Sequence, residues 1–246
     1  MATPPLIETA DCTQSGSDSS GTPFVVSYPN ASAGDLLIFL IGTDGAGITD
    51  VSAPAGENSE VLTEIIDTLF KDTTNESGVK GWWTIATNSW TASTLSFTPS
   101  DATRFSAAVI RVPAGEFDAT TSIGASGTVG SAASNELEAD SPAFQAGATD
   151  GDGTLIWFCQ VDQDPLLTLA ADWTELVKQD IGNLSTGVAK RDAAVSNSEN
   201  IASISWDISI DSWASLAFIV RAPAAAGGTH PTGNPLQIRS PLGGPI

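Results

Sequence analysis

The sequence predicts an all-β protein made of two tandem antiparallel β-sandwiches followed by an extended C-terminal arm. Short apolar segments, rich in Val, Ile, Phe, Trp and Thr and bounded by Gly, Asp, Asn and Ser, recur along the chain. The same ordered series of segments occurs twice, and helical periodicity is scarce. Parallel sheets need helices between their strands, so we expect sandwiches of jelly-roll or immunoglobulin-like topology.

The internal repeat consists of segments that match between the two halves and keep the same order. The matching pairs are residues 34–39 and 153–158, 63–65 and 174–176, 78–79 and 187–188, 94–97 and 203–206, and 110–114 and 220–224. The spacing between partners changes at one loop, residues 49–60, which is longer in the first copy. We infer a duplication from the conserved order.

Three segments illustrate how the strands are assigned. Residues 36–41 are apolar without alternation, which is typical of a central strand covered on both faces. Residues 94–97 alternate apolar and polar side chains, which indicates a strand with one buried face. Residues 60–70 fit a helix or a strand by pattern. Because their repeat partner, residues 172–178, is typical of a strand, we predict a strand there as well.

The repeat defines the predicted domains. We place the first sandwich at residues 1–113, the second at 114–224 and the arm at 225–246. No long linker separates the sandwiches, so we expect a restricted angle between them.

The arm is rich in Pro and Gly and cannot form a core of its own. It nevertheless carries spaced apolar side chains and a single basic residue in an otherwise uncharged segment. These candidate partner-binding residues are Leu236, Ile238, Arg239, Leu242 and Ile246. A terminus without a binding role is the alternative interpretation.

The charge balance restricts the partners. The chain has 29 acidic and 9 basic residues, a formal net charge of -20. Such a surface repels phosphate backbones and anionic lipids, so we expect no nucleic-acid and no membrane partner. The charge suits a soluble protein, a saline habitat or an exposed particle surface.

We predict no catalytic, cofactor or metal site and no enzyme activity. The single histidine, His230, lies in the arm, so a Ser-His-Asp arrangement within the sandwiches is excluded. Zinc-type cysteine pairs and phosphate-binding loops are missing. Calcium is a candidate ligand at two aspartate pairs, although solvated turn aspartates are commoner. The pairs are Asp150 with Asp152 and Asp162 with Asp164.

The cysteines and tryptophans have ordinary interpretations. Cys12 and Cys159 do not occupy equivalent repeat positions, so a buried free thiol at Cys159 is favoured over a disulfide. The seven Trp could line a sugar-binding face, but core packing is the commoner use. Adjacent residues on a strand face opposite ways, so one of Trp82 and Trp83 is a candidate for an exposed or interface position.

Four segments carry a family resemblance: Gly-Asp-Leu-Leu-Ile-Phe at 34–39, the Thr-Glu segments at 63–65 and 174–176, and Ser-Trp-Ala-Ser-Leu-Ala-Phe-Ile-Val-Arg-Ala-Pro-Ala at 212–224. The series resembles β-sandwich virion structural proteins of tailed, especially marine, bacteriophages, over residues 24–113 and 141–224. The resemblance implies a capsid decoration or cement protein, or a spike or fibre module. It also implies a major capsid protein or another virion protein as partner.

We therefore expect a capsid decoration or cement protein that stabilises or covers the capsid lattice. We expect a homo-oligomer, with a trimer as one arrangement, located on the virion surface. The N-terminus lacks the basic and apolar regions of a signal peptide, which favours synthesis in the host cytoplasm. The alternatives are a tail or head spike or fibre module that binds host glycan, and a non-viral surface adhesion or carbohydrate-binding module.

Overall fold

The computed structural model is nearly all β, which confirms the predicted fold class. It describes residues 5–67, 69–71, 76–132, 136–138, 153–163, 167–169, 173–182, 184–192, 205–210 and 212–223. Strands in these residues form four antiparallel sheets, preceded by a 3-10 turn at Thr9–Asp11. No helix in the described part of the chain is long and apolar enough to span a membrane.

The first half forms one large and one small sheet. Its strands are β1 (Cys12–Gly21), β2 (Phe24–Tyr28), β3 (Leu36–Asp44), β4 (Val51–Ser52), β5 (Thr63–Glu64), β6 (Phe70–Lys71), β7 (Ser77–Ile85), β8 (Ser93–Pro99) and β9 (Thr103–Val112). The large sheet has the order β1-β9-β3-β7-β5, with β6 also paired to β7, and the small sheet has the order β2-β8-β4. In the segment with an ambiguous pattern, residues 60–70, the described residues contain β5 and the start of β6 and no helix.

The second half repeats this arrangement. Its strands are β10 (Ile123–Ala132), β11 (Glu136–Glu138), β12 (Thr154–Asp162), β13 (Leu167–Thr168), β14 (Thr174–Ile181), β15 (Leu184–Arg191), β16 (Ser205–Ile210) and β17 (Ser212–Val220). The large sheet has the order β10-β17-β12-β15-β14 and the small sheet β11-β16-β13. Strands that match in sequence occupy matching places, which supports the inferred duplication.

The strand order matches a jelly roll, one of the two topologies that the sequence left open. In each half the first strand pairs with the last, the first four strands alternate between the large and the small sheet, and so do the last three. A jelly roll of eight strands has four strands in each sheet. In this chain the segment between β4 and β7 adds β5 and β6 to the large sheet, so the small sheet has three strands within the described residues.

Strand β3 is covered on both faces, as its sequence predicts. Leu36 and Ile38 belong to a core shared with the second half, whereas Phe39 and Ile41 belong to the core beneath the small sheet. All of its residues are buried. The lack of alternation in the sequence therefore reflects two different cores on the two faces of one strand.

The two large sheets pack face to face and share one hydrophobic core. Ile38 and Ile110 of the first half lie in this core with Phe158 and Leu216 of the second half. Trp157, on the other face of β12, is also fully buried. The two large sheets are therefore the inner layers, and the first small sheet covers the outer face of the first large sheet.

The segment that joins the halves is tied to both. The backbone N–H of Ala114 donates to the Asp35 carboxylate at 2.9 Å, and that of Asp118 donates to the Arg221 carbonyl at 3.0 Å. Phe117 is buried in the shared core. The domain limits at 113/114 and 224/225 stay a prediction, and the arm lies outside the described residues.

Candidate functional site

The first sandwich has an open edge between β4 and β6. A slot with a cavity volume of about 370 Å³ lies there, lined by Ala46, Ile48, Thr49, Leu69 and Lys71. This volume is within the usual range of ligand pockets, about 300–1,000 Å³. Ile48 and Leu69 are 1% and 7% exposed and form an apolar floor. We call this feature the edge slot.

Lys71 bridges the edge slot. Its Nζ donates to the carbonyl oxygens of Ile48 at 2.8 Å and Gly45 at 3.1 Å. The side chain thereby connects β6 of the large sheet to the segment that leads into β4. This connection fixes the distance between the two walls of the slot.

Lys80 on β7 lies beside the edge slot and is buried. Its Nζ lies 2.7 Å from Asp50 Oδ1 and 2.9 Å from Glu64 Oε1, and 5.3 Å from the centre of the Trp82 ring. The side chains of Asp50 and Glu64 are 50% and 39% exposed. The buried ammonium group is therefore paired with two carboxylates that are partly exposed to solvent.

The outer face of the first small sheet is free of charge. None of the residues of β2, β4 and β8 is ionisable except Tyr28, which is buried. The exposed side chains on this face are Val25, Ser52, Thr94, Ser96 and Thr98. We call it the charge-free face. By contrast, the second small sheet carries Glu136, Glu138 and Asp207 in its strands.

A charged cluster joins the two halves at the ends of β3 and β12. The Arg104 guanidinium pairs with Asp44, lies 3.5 Å from Asp18 Oδ1 and lies 3.9 Å from Asp162 Oδ1. Burial, reinforced by repulsion from Asp162, raises the pKa of Asp44 to about 6, although Arg104 opposes the shift. One guanidinium thus serves three carboxylates, one of which belongs to the second half.

Polar groups are paired deep between the large sheets. The Gln160 side-chain oxygen accepts hydrogen bonds from Ser106 at 2.7 Å and from Thr186 at 2.9 Å. Gln160 lies over Gly42, where a Cβ would overlap the amide. Buried polar groups are costly unless they are paired, so this contact favours one alignment of the halves.

Glu60 fastens the long loop of the first copy to the sandwich. Its carboxylate accepts hydrogen bonds from Thr87 Oγ1 at 2.8 Å, Trp90 Nε1 at 3.2 Å and the backbone N–H of Asn58 at 2.7 Å. Burial alone raises the pKa of Glu60, but these hydrogen bonds outweigh it and lower the pKa to about 2. The carboxylate is fully engaged in holding the loop.

The predicted binding residues are mostly outside the part of the chain that the structure describes. This applies to Leu236, Ile238, Arg239, Leu242 and Ile246 of the arm and to Asp150, Asp152 and Asp164 of the calcium candidates. Asp162 is described and lies in the Arg104 cluster. Within the described ranges, no group of three or more His, Cys, Asp or Glu side chains is placed to hold a metal.

Most tryptophan side chains and the Cys159 side chain are buried. The buried tryptophans are Trp82, Trp90, Trp157, Trp173 and Trp213. Trp83 is half-buried against the shared core, so the adjacent pair faces two different cores, while the side chain of Trp206 is outside the described residues. Both cysteines are free and Cys159 is fully buried, as predicted. Burial raises the pKa of Cys12 to about 12.

Sequence reasoning missed the edge slot and its lysines. One signal was available: Lys80 interrupts the apolar strand that contains Val79 and Trp82. A base within a buried strand requires an acidic partner, because an unpaired buried charge is very costly. The identity of those partners, Asp50 and Glu64, depends on the tertiary fold.

Comparisons with protein-family models, curated proteins and solved structures find no match to this chain.

Proposed function

We propose that the chain is a structural component of a bacteriophage particle, a capsid decoration or cement protein that docks through its charge-free face. The observation that carries the proposal is the lack of charged side chains on the outer face of the first small sheet, in a chain with a formal net charge of -20. Interface centres are depleted of charged side chains, and strongly acidic surfaces repel one another. An acidic molecule that packs at high density on a lattice therefore needs a neutral surface for attachment.

The size of the charge-free face suits a lattice. Its three strands have five, two and seven residues, and at about 3.4 Å per residue and about 4.8 Å between strands they cover about 230 Å². Stable interfaces bury about 800 Å² on each partner, so a single contact of this size is weak. Repetition over a capsid multiplies such contacts into stable coverage.

The proposed partners follow from the same arrangement. The major capsid protein or another virion protein binds the charge-free face, and the acidic second repeat faces solvent. Copies associate as a homo-oligomer, for which a trimer is one arrangement, through arm residues 236–246. The protein is made in the host cytoplasm and resides on the virion surface, without nucleic-acid or membrane contacts. The sequence resemblance to virion proteins supports this proposal.

The spike or fibre module and the non-viral carbohydrate-binding module are less well supported. Both would use exposed aromatic rings as a glycan platform. The described tryptophan side chains are buried or half-buried, so they do not supply one. Saturable binding on a glycan array would favour these alternatives.

The experiment uses heads of the tailed phage that encodes the chain, prepared without this protein. We expect saturable binding to a symmetric set of sites, measured by cosedimentation and electron microscopy. Thr94→Glu with Ser96→Glu introduces charge on the charge-free face and should weaken binding at least tenfold. Thr174→Glu, an exposed change on β14, is the control and should bind normally. Lack of binding at any concentration overturns the proposal.

A further inference from the structure

A carboxylate is held at one end of the charge-free face. Glu57 is exposed, and its Oε2 accepts hydrogen bonds from the backbone N–H of Thr91 at 2.9 Å and from the Tyr28 hydroxyl at 3.2 Å. Thr91 lies two residues before β8, and Tyr28 is the last residue of β2. The charge of Glu57 is therefore fixed in place where β8 begins.

A second carboxylate is held at the other end of the same strand. Asp101 is exposed and lies two residues after Pro99, the last residue of β8. Its Oδ1 accepts a hydrogen bond from the backbone N–H of Ala102 at 2.7 Å. Because β8 has seven residues, its two ends are about 24 Å apart. The charge-free face is thus flanked by one fixed negative charge at each end.

Neither of these charges is neutralised by a basic side chain of the described residues. Glu57 and Asp101 take part in none of the ion pairs found there. The basic residues of the first half are bonded to other groups, and they are Lys71, Lys80, Arg104 and Arg111. Both carboxylates consequently keep their charge for an external partner.

The surface between the two charges has the character of an interface centre. Val25, which is 49% exposed, pairs with Ser96 on β8, the middle strand of the small sheet. Thr94 and Thr98 lie on either side of Ser96 along the same face, and Thr98 pairs with Ser52 of β4. Interfaces combine an uncharged centre with a polar rim, and the charge-free face with its two end charges has this arrangement.

We propose that the charge-free face recognises a protein surface that has a neutral centre and a basic side chain at each end, about 24 Å apart. The inference rests on the proposed function and specifies the chemistry of the partner on the particle. Val25 contacts the neutral centre, while Glu57 and Asp101 each pair with one basic side chain. Two charge pairs at opposite ends of β8 fix the direction in which the strand lies on the partner.

The two end charges should act mainly on the rate of association. Charges at the rim of an interface steer the encounter of the partners and change the salt dependence of binding. At 0.15 M salt the Debye length is about 8 Å, so each end acts separately and charges elsewhere on the molecule contribute little. Local pairing therefore differs measurably from a general attraction of an acidic protein to a basic surface.

The test measures the association rate of the full-length protein with the phage heads prepared without it. Glu57→Gln and Asp101→Asn each remove one charge and retain an oxygen that accepts the backbone hydrogen bond. At 0.15 M salt each variant should associate about threefold more slowly or less rapidly still, and the double variant by about the product of the two factors. At about 1 M salt all the proteins should associate at the same rate.

Glu175→Gln is the matched control, because it removes the same charge from an exposed position on β14. It should leave the association rate at 0.15 M salt unchanged. Unchanged rates for Glu57→Gln and Asp101→Asn overturn the inference, and so does an equal loss in Glu175→Gln; saturable binding in either case leaves the proposed function standing. Heads that do not bind the native protein overturn both.

Discussion

Lys80 Nζ lies 2.7 Å from Asp50 Oδ1, and this contact connects the large sheet to the open edge of the small sheet in the first sandwich. The lysine is 1% exposed, while the aspartate is 50% exposed. An ion pair with one solvent-exposed partner contributes little to the free energy of unfolding, because the exposed carboxylate is well hydrated without the lysine. The packing of the lysine stem in the core accounts for most of what this residue contributes.

We therefore predict different effects for two substitutions of Lys80. Lys80→Ala leaves a cavity and should lower the free energy of unfolding by about 2–4 kcal/mol. Lys80→Met retains the volume, and both carboxylates can be hydrated, so it should cost about 1 kcal/mol or less. Urea unfolding measures both. Equal losses for the two variants would show that the ion pairs dominate.

The second prediction concerns pH and the Arg104 cluster. Asp44 has a pKa of about 6 in the folded protein, above the ordinary value of 3.8 for an aspartate, so the folded state binds its proton more tightly. Its contribution to the free energy of unfolding therefore increases as pH falls from about 7 towards 4. Asp44→Asn should remove this increase. The measurement is the urea midpoint of each protein at pH 7 and at pH 5, and the difference between the two proteins should change between these pH values. A difference in urea midpoint between the two proteins that is the same at pH 7 and pH 5 contradicts the prediction.

Glu60 gives the opposite pH dependence. Its folded pKa of about 2 lies below the ordinary value of 4.5 for a glutamate, so its stabilisation is present above about pH 4.5 and is lost as pH falls towards 2. Glu60→Gln should lower stability at pH 7 by about 1–3 kcal/mol, since its single amide oxygen can accept either from Thr87 and Trp90 or from the backbone N–H of Asn58, and the amide nitrogen cannot accept at the other position. The loss should disappear near pH 2. Thermal unfolding at both pH values tests this, with exposed Glu57→Gln as the milder control.

Part of the fold was predictable because it depends on local pattern. The apolar run around Ile38 and Phe39 indicates a strand covered on both faces, and the structure confirms it. The partner of each face was not predictable. Ile38 packs against the second half and Phe39 against the first small sheet, yet both are simply apolar in sequence. The face-to-face packing of the large sheets is therefore a tertiary property.

The candidate sites were less predictable than the fold. The edge slot arises because β5 and β6 join the large sheet, and nothing in their short sequences specifies that choice. The Arg104 cluster assembles residues from β1, β3, β9 and β12, which are distant along the chain. The arm residues that the sequence did single out lie outside the described structure, so their role stays a prediction.

The last prediction concerns Gly42 and Gln160, which face each other between the two large sheets. A Cβ at residue 42 would overlap the Gln160 amide, so Gly42→Ala should lower the free energy of unfolding by about 1–3 kcal/mol. Gly21→Ala on β1, where the nearest atom is 3.8 Å from the added Cβ, is the matched control.

The overlap should be relieved when Gln160 is shortened. Gln160→Ala alone leaves a cavity but retains the hydrogen bond between Ser106 and Thr186, and adding Gly42→Ala should then cost less than it does in the native chain. A double-mutant cycle by urea unfolding measures the coupling, which we expect to be about 1 kcal/mol or more. Additive effects would mean that the two residues do not meet, and that the halves are not aligned through this contact.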